Sequence, residues 1–168
     1  MSSASGVPSQ LKIWFQDAQR VVLIGVGNTL RKDDDIGVEI AADLEEYASE
    51  SVMVVKSETI PEEYLEQIVA FKPTHVLVID AALLGLKPGS ARFSENIESP
   101  HPPVSTHFLP VQIFCQSLVD ITGAKMAMLL IEPRDTGFGE GLTSELNSAR
   151  KRFVSLLKDN VKRALRSE

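Results

Sequence analysis

Three apolar runs, "VVLIG" at Val21–Gly25, "HVLVID" at His75–Asp80 and "KMAMLLI" at Lys125–Ile131, are apolar at nearly every position rather than at every second one. A strand of that kind must be covered on both faces, which is the condition met inside a parallel sheet sandwiched between helices. Stretches with helical spacing of apolar residues lie between the runs, so strands and helices alternate along the chain. A further run at Val52–Val55 has strand character, and Ala91–Ser94, after the turn "LKPGS", reads as a short antiparallel edge strand. The pattern predicts an α/β fold: a three-layer sandwich with a mostly parallel, twisted five-stranded sheet, one antiparallel edge strand and helices on both faces.

With 168 residues the chain has the length of one compact domain. Residues 1–10 are expected to be flexible and residues 11–168 to form a single α/β domain, with Leu11–Gln19 as a short added helix that packs Trp14 and Phe15. The first main helix follows three aspartates, with Ile36, Ile40, Ala41 and Leu44 on one face. The second begins in "TIPEEYLEQIVAF", where Thr59 and Glu62 have capping-box spacing. The third is expected near "STHFLP", capped by Ser105 or Thr106, with Pro110 in its first turn. The last runs from Thr143 nearly to the end, with Leu146, Phe153, Leu156, Leu157 and Val161 inward.

The net charge of −6 argues against a protein that lives on nucleic-acid phosphate. No secretory signal pattern opens the chain, and no apolar run approaches the roughly 20 residues of a membrane helix. The single cysteine, Cys115, lies in the apolar stretch "VQIFCQSLV" and reads as core. A cytoplasmic location is expected, with no membrane insertion.

The stretch "GVGNTLRKDDDIG" begins like a dinucleotide fingerprint but has Leu30 where the third glycine belongs, and Asp33, Asp34 and Asp35 would repel a phosphate. Any of the three aspartates could simply cap the following helix. If Asp33 does so, Asp34 or Asp35 can point into the crevice beyond the first strand and hold a cation, either a metal or a basic substrate side chain. Asp80 ends its strand at the same edge of the sheet, and in a doubly wound order the first and third strands adjoin there. Of the histidines, His75 reads as structural or solvent-facing, His101 as a loop residue, and His107 as the one able to reach the crevice. Two carboxylates and an imidazole on separate loops suit nickel, zinc or iron. Zincin, nucleophile-elbow, CxxC and phosphate-loop motifs are absent from the sequence.

Taken together, "GVGNTLRKDDDIG", "FKPTHVLVIDAALLGLKPG", "STHFLP", "LLIEP" and "GFGEGLTSEL" resemble the hydrogenase maturation proteases, which trim the large subunits of [NiFe]-hydrogenases. The likeness covers Val21 to Leu157 and is greatest to the HycI-like branch, which serves formate-hydrogenlyase-type, membrane-associated hydrogenases. The resemblance implies an aspartic-type, nickel-dependent endopeptidase acting on a large-subunit precursor. It assigns Asp34, Asp80 and His107 as the catalytic and metal-contacting set, and implies no organic cofactor and a nickel ion carried by the substrate. A monomer is expected. Two positions depart from the family pattern: Asp35 stands where many relatives have glycine, and Lys56–Glu58 "KSE" replaces a "DGG" turn associated with substrate recognition. Two rival readings remain, a maturation chaperone that binds metal or precursor without cutting, and a nucleotide-binding protein on the same fold.

Overall fold

A computed structural model describes residues 6–58, 61–96 and 108–166. Its strands are β1 (Val21–Val26), β2 (Val52–Glu58), β3 (His75–Ala81), β4 (Ala91–Ser94) and β5 (Lys125–Ile131). They form one sheet in the order β2-β1-β3-β5-β4, in which every pairing is parallel except that of β4 with β5. The helices are α1 (Val7–Phe15), α2 (Ile36–Leu44), α3 (Leu65–Phe71), α4 (Phe108–Thr122) and α5 (Ser144–Leu165).

Both faces of the central strands are buried, as their composition demands. Val21, Leu23, Leu77, Ile79 and Leu129 pack under α1, α2 and α5, whereas Val22, Ile24, Val76, Val78 and Met128 pack under α3 and α4. The side-chain period of two in a strand sends neighbours to opposite layers, so each strand serves both cores. On α2, Ile36, Ile40, Ala41 and Leu44 all face inward and are buried.

Several boundaries differ from expectation. Helix α1 begins at Val7 rather than Leu11 and ends at Phe15, because Pro8 supplies a helix-ready φ in the first turn. Trp14 and Phe15 are buried as expected, and the Trp14 ring meets Phe15 and His75 edge-on at 4.9 and 4.8 Å. Strand β2 runs on to Glu58, so "KSE" is the end of a strand instead of a turn. Helix α3 is preceded by a 3-10 turn at Pro61–Tyr64; the expected cap at Thr59 and those at Ser105 and Thr106 lie outside the described residues. Pro110 does occupy the first turn of α4, and Thr143 is the N-cap residue of α5.

Candidate active site

The strand order makes β1 and β3 neighbours, and their carboxyl ends open onto the loops that carry the acids. What fixes the geometry there is close backbone contact. A Cβ on Gly37, in the first turn of α2, would lie 2.1 Å from the Ile79 carbonyl oxygen and 2.5 Å from that of Val26. A Cβ on Gly25 would lie 2.1 Å from the Gly37 oxygen, and one on Gly27 would lie 2.5 Å from the Asp34 oxygen. These glycines let α2 rest directly on the ends of β1 and β3, a packing role that requires no phosphate.

The three aspartates form a 3-10 turn, Lys32–Asp35, ahead of α2. The N-cap residue of α2 is Asp35, whose side chain makes no cap hydrogen bond, and the capping role considered for Asp33 is not the one it has. Asp33 is fully buried and reaches across to the β5–α5 loop. Its Oδ2 accepts the amides of Arg134 at 2.9 Å and Asp135 at 3.0 Å and the Thr143 hydroxyl at 2.8 Å; its Oδ1 accepts the Thr143 amide at 2.8 Å. Reciprocal backbone bonds close the seam, from the Asp33 amide to Asp135 and from the Lys32 amide to Gly139. Gly139 is required here, since it has a φ of +141° and a Cβ on it would press on the Lys32 side chain at 2.9 Å.

Asp34 is also buried, and its Oδ2 accepts the Asn28 amide at 3.2 Å. Asp35 lies toward Glu39, one helical turn on. Burial, reinforced by the Glu39 carboxylate, pushes the Asp35 carboxyl up to about 7. Three consecutive acids thus serve three surroundings.

At the end of β3, Asp80 is 1% exposed and its Oδ1 accepts the Ala81 amide at 2.8 Å. Asp34 and Asp80 therefore stand as buried carboxylates at the ends of adjacent structural units, the turn after β1 and the strand β3. His107 and His101 lie outside the described residues, and among the described residues no group of three or more His, Cys, Asp or Glu forms a metal site. His75 is structural rather than solvent-facing: its ring is buried, 3.1 Å from Asp17 and 2.9 Å from Thr74, and burial draws its pKa below the ordinary value. Cys115 is buried in the core, where desolvation pushes its thiol up to about 12 and leaves it no nucleophilic role.

One organising residue escaped the sequence reading. Glu132, directly after β5, is buried, and its Oε1 accepts the amides of Leu84 at 2.6 Å and Leu86 at 3.0 Å. It holds the loop that follows Asp80. Its signal was the one used for Asp80, an acid ending an apolar strand. Among the described residues no helix is long and apolar enough to cross a membrane.

A model of the hydrogenase maturation protease family, of the HycI type, matches residues 38–160, a span that contains Asp80 and begins four residues after Asp34. The putative hydrogenase maturation protease of Methanocaldococcus jannaschii is 28% identical over 132 residues, 74% of this chain and 78% of that one. The hydrogenase 3 maturation protease of Escherichia coli K12 is 27% identical over 129 residues, 76% of this chain and 82% of that one. The crystal structure of the [NiFe] hydrogenase maturation protease HycI from Thermococcus kodakarensis superposes with a TM-score of 0.85 at 30% identity, covering 92% of this chain and 99% of that one. With the acid-bearing strand ends, the sheet order and the family match in agreement, the chain belongs to the hydrogenase maturation proteases, in their HycI-like branch.

Proposed function

We propose that this protease removes a C-terminal extension from the large-subunit precursor of a [NiFe]-hydrogenase, and that Asp34, Asp80 and His107 recognise a nickel ion carried by that precursor. The observation that carries the reading is the delivery of two buried carboxylates to the carboxyl edge of β1 and β3 in a chain of this family. Carboxylate oxygens with an imidazole nitrogen suit a borderline divalent cation. The run of α4 supports the third donor. Two residues separate its end at Thr122 from Lys125 at the start of β5, and a helix of 15 residues spans about 22 Å, so α4 opens at the edge that holds the acids. His107 is the residue before it.

In this scheme the ion supplies positive charge that polarises a scissile carbonyl and acidifies water. Asp34 and Asp80 position the ion, each oriented by a backbone amide, and one carboxylate takes up the proton released as water attacks. A precursor without nickel brings no cation for Asp34 and Asp80 to engage, so it should dock more weakly.

The test is the intact mass of a large-subunit precursor from the same source, loaded with nickel or free of it, before and after incubation with the protein. Loss of a C-terminal peptide from the loaded form alone is the expected result. Replacing Asp34, Asp80 or His107 by alanine should lower kcat/KM by at least about 100-fold, and unchanged rates would overturn the assignment. A precursor that is retained but uncut would identify a non-cleaving chaperone instead.

A further inference from the structure

Among the described residues seven large apolar side chains are exposed, and four of them stand on loops that leave the carboxyl edge of the sheet. Leu30 follows β1, Leu83 and Leu86 follow β3, and Phe138 follows β5. The other three, Ile13, Ile113 and Ile121, lie on α1 and α4. Single exposed apolar residues are ordinary on a protein surface, which accounts for those on the helices. Four gathered at the edge that carries Asp34 and Asp80 call for a reason.

The sheet order sets β1, β3 and β5 side by side and parallel, so the loops that follow them are neighbours. Those loops are also tied together. The Gly139 amide donates to the Leu30 carbonyl at 3.0 Å, and the Arg31 guanidinium lies 4.7 Å from the centroid of the Phe138 ring. From the start of the same β5–α5 loop, Glu132 accepts the amides of Leu84 and Leu86. Leu83 is fixed from both sides: the Ala82 amide donates to the Ile131 carbonyl at 3.0 Å, and the Leu84 amide to Glu132 at 2.6 Å. Its side chain is 63% exposed, and that of Phe138 is 79% exposed. Apolar groups held in water on a braced backbone gain nothing in the free protein, but they lower the ordering cost of a contact made from outside.

We propose that Leu30, Leu83, Leu86 and Phe138 form an apolar rim on which an apolar surface of the large-subunit precursor docks, with Leu83 and Phe138 as its anchors. Glu132 and Arg31 hold those anchors in place. That the occupant is the precursor rests on the function proposed above; that its docking surface is apolar rests on the rim. Continuity with the site selects this occupant, since Leu83 lies three residues past Asp80 and Leu30 four before Asp34. The carboxylates engage the metal, and the rim engages protein surface around it.

The test measures binding apart from cleavage. Nickel-free precursor, which stays uncut, is passed over the immobilised protein in surface plasmon resonance. Wild type is compared with Leu83→Ser combined with Phe138→Ser, and with Ile13→Ser combined with Ile113→Ser as a matched control away from the site. Affinity about tenfold weaker is expected for the rim variant, and wild-type affinity for the control. Leu83→Met combined with Phe138→Tyr, which keeps the buried area, should restore binding. Equal affinity of rim variant and wild type, an equal loss in the control, or no binding of the nickel-free precursor to wild type would overturn the rim.

In parallel, the nickel-loaded precursor is cleaved by the same proteins. A KM raised by a similar factor with kcat near wild type is expected for the rim variant. An unchanged KM would overturn the rim and leave the protease reading intact. Rim-dependent binding of a precursor that is never cut would uphold the rim and overturn the protease reading.

Discussion

Replacing Asp33 by alanine should damage the fold more than any change to its acidic neighbours, because it is the buried anchor for a loop a hundred residues away. Four donors converge on its carboxylate at 2.8 to 3.0 Å: two amides of the β5–α5 loop and both the amide and hydroxyl of Thr143. A hydrogen bond to a charged acceptor contributes about 1.5–3 kcal/mol net. The four do not add, since three share Oδ2 and water can replace a carboxylate at the partly buried donors. A loss of about 4 kcal/mol is the expected balance for Asp33→Ala, equivalent to a fall in Tm of roughly 8–16 °C for a chain of this size. Asp33→Asn keeps one acceptor oxygen and should lose about half as much. Urea unfolding followed by circular dichroism gives the free energies, and hydrogen exchange at Arg134, Asp135 and Thr143 reports whether the loop is released. A cycle with Thr143→Ala should show coupling of about 1 kcal/mol. A loss for Asp33→Ala below about 1 kcal/mol, or exchange at those amides no faster than in wild type, would refute the clamp.

Gly37→Ala should cost about 3 kcal/mol or more through overpacking, because its Cβ would lie 2.1 Å from the Ile79 carbonyl oxygen; thermal unfolding checks this, and a Tm within a few degrees of wild type would contradict it. Asp35→Asn has the opposite sign. The folded-state pKa of Asp35, about 7, lies above its ordinary 3.8, so the ionised form is disfavoured in the fold and wild-type stability falls as pH rises from about 3.8 to 7. The variant should match wild type near pH 4 and exceed it at pH 8 by about 1–2 kcal/mol after allowance for solvent screening, which paired denaturation curves at the two pH values will show. Cys115 should resist alkylation at pH 8 in the folded protein and react only when urea unfolds it, as intact mass after iodoacetamide would reveal; rapid native labelling would contradict its burial.

The architecture was legible because it follows from local patterns. Unbroken apolar runs at β1, β3 and β5 required cover on both faces, and the cover is there in α1, α2 and α5 on one side and α3 and α4 on the other. Asp80 could be placed because the end of a strand is visible in sequence. Glu132 is in the same position after β5 and was passed over, since its job, holding the amides of Leu84 and Leu86, depends on which loop lies across from it. Gly25 and Gly27 were visible as the start of a fingerprint, and their reason was not: close contact between backbones, in which Gly37 shares, is set by how α2 lies on β1 and β3, which no local pattern encodes.

The acidic triplet divides the two kinds of information most clearly. Sequence alone put three carboxylates between β1 and α2, at the edge of the sheet where a cation could be met. It could not distribute them. In a 3-10 turn successive side chains point about 120° apart, so three adjacent aspartates face three different parts of the molecule. Arg134 and Thr143 draw Asp33 into a structural seam, burial together with Glu39 raises the pKa of Asp35, and Asp34 remains by the end of β1. Those partners are distant in the chain or reached only across a packed interface, which is why tertiary structure alone decided what each acid does.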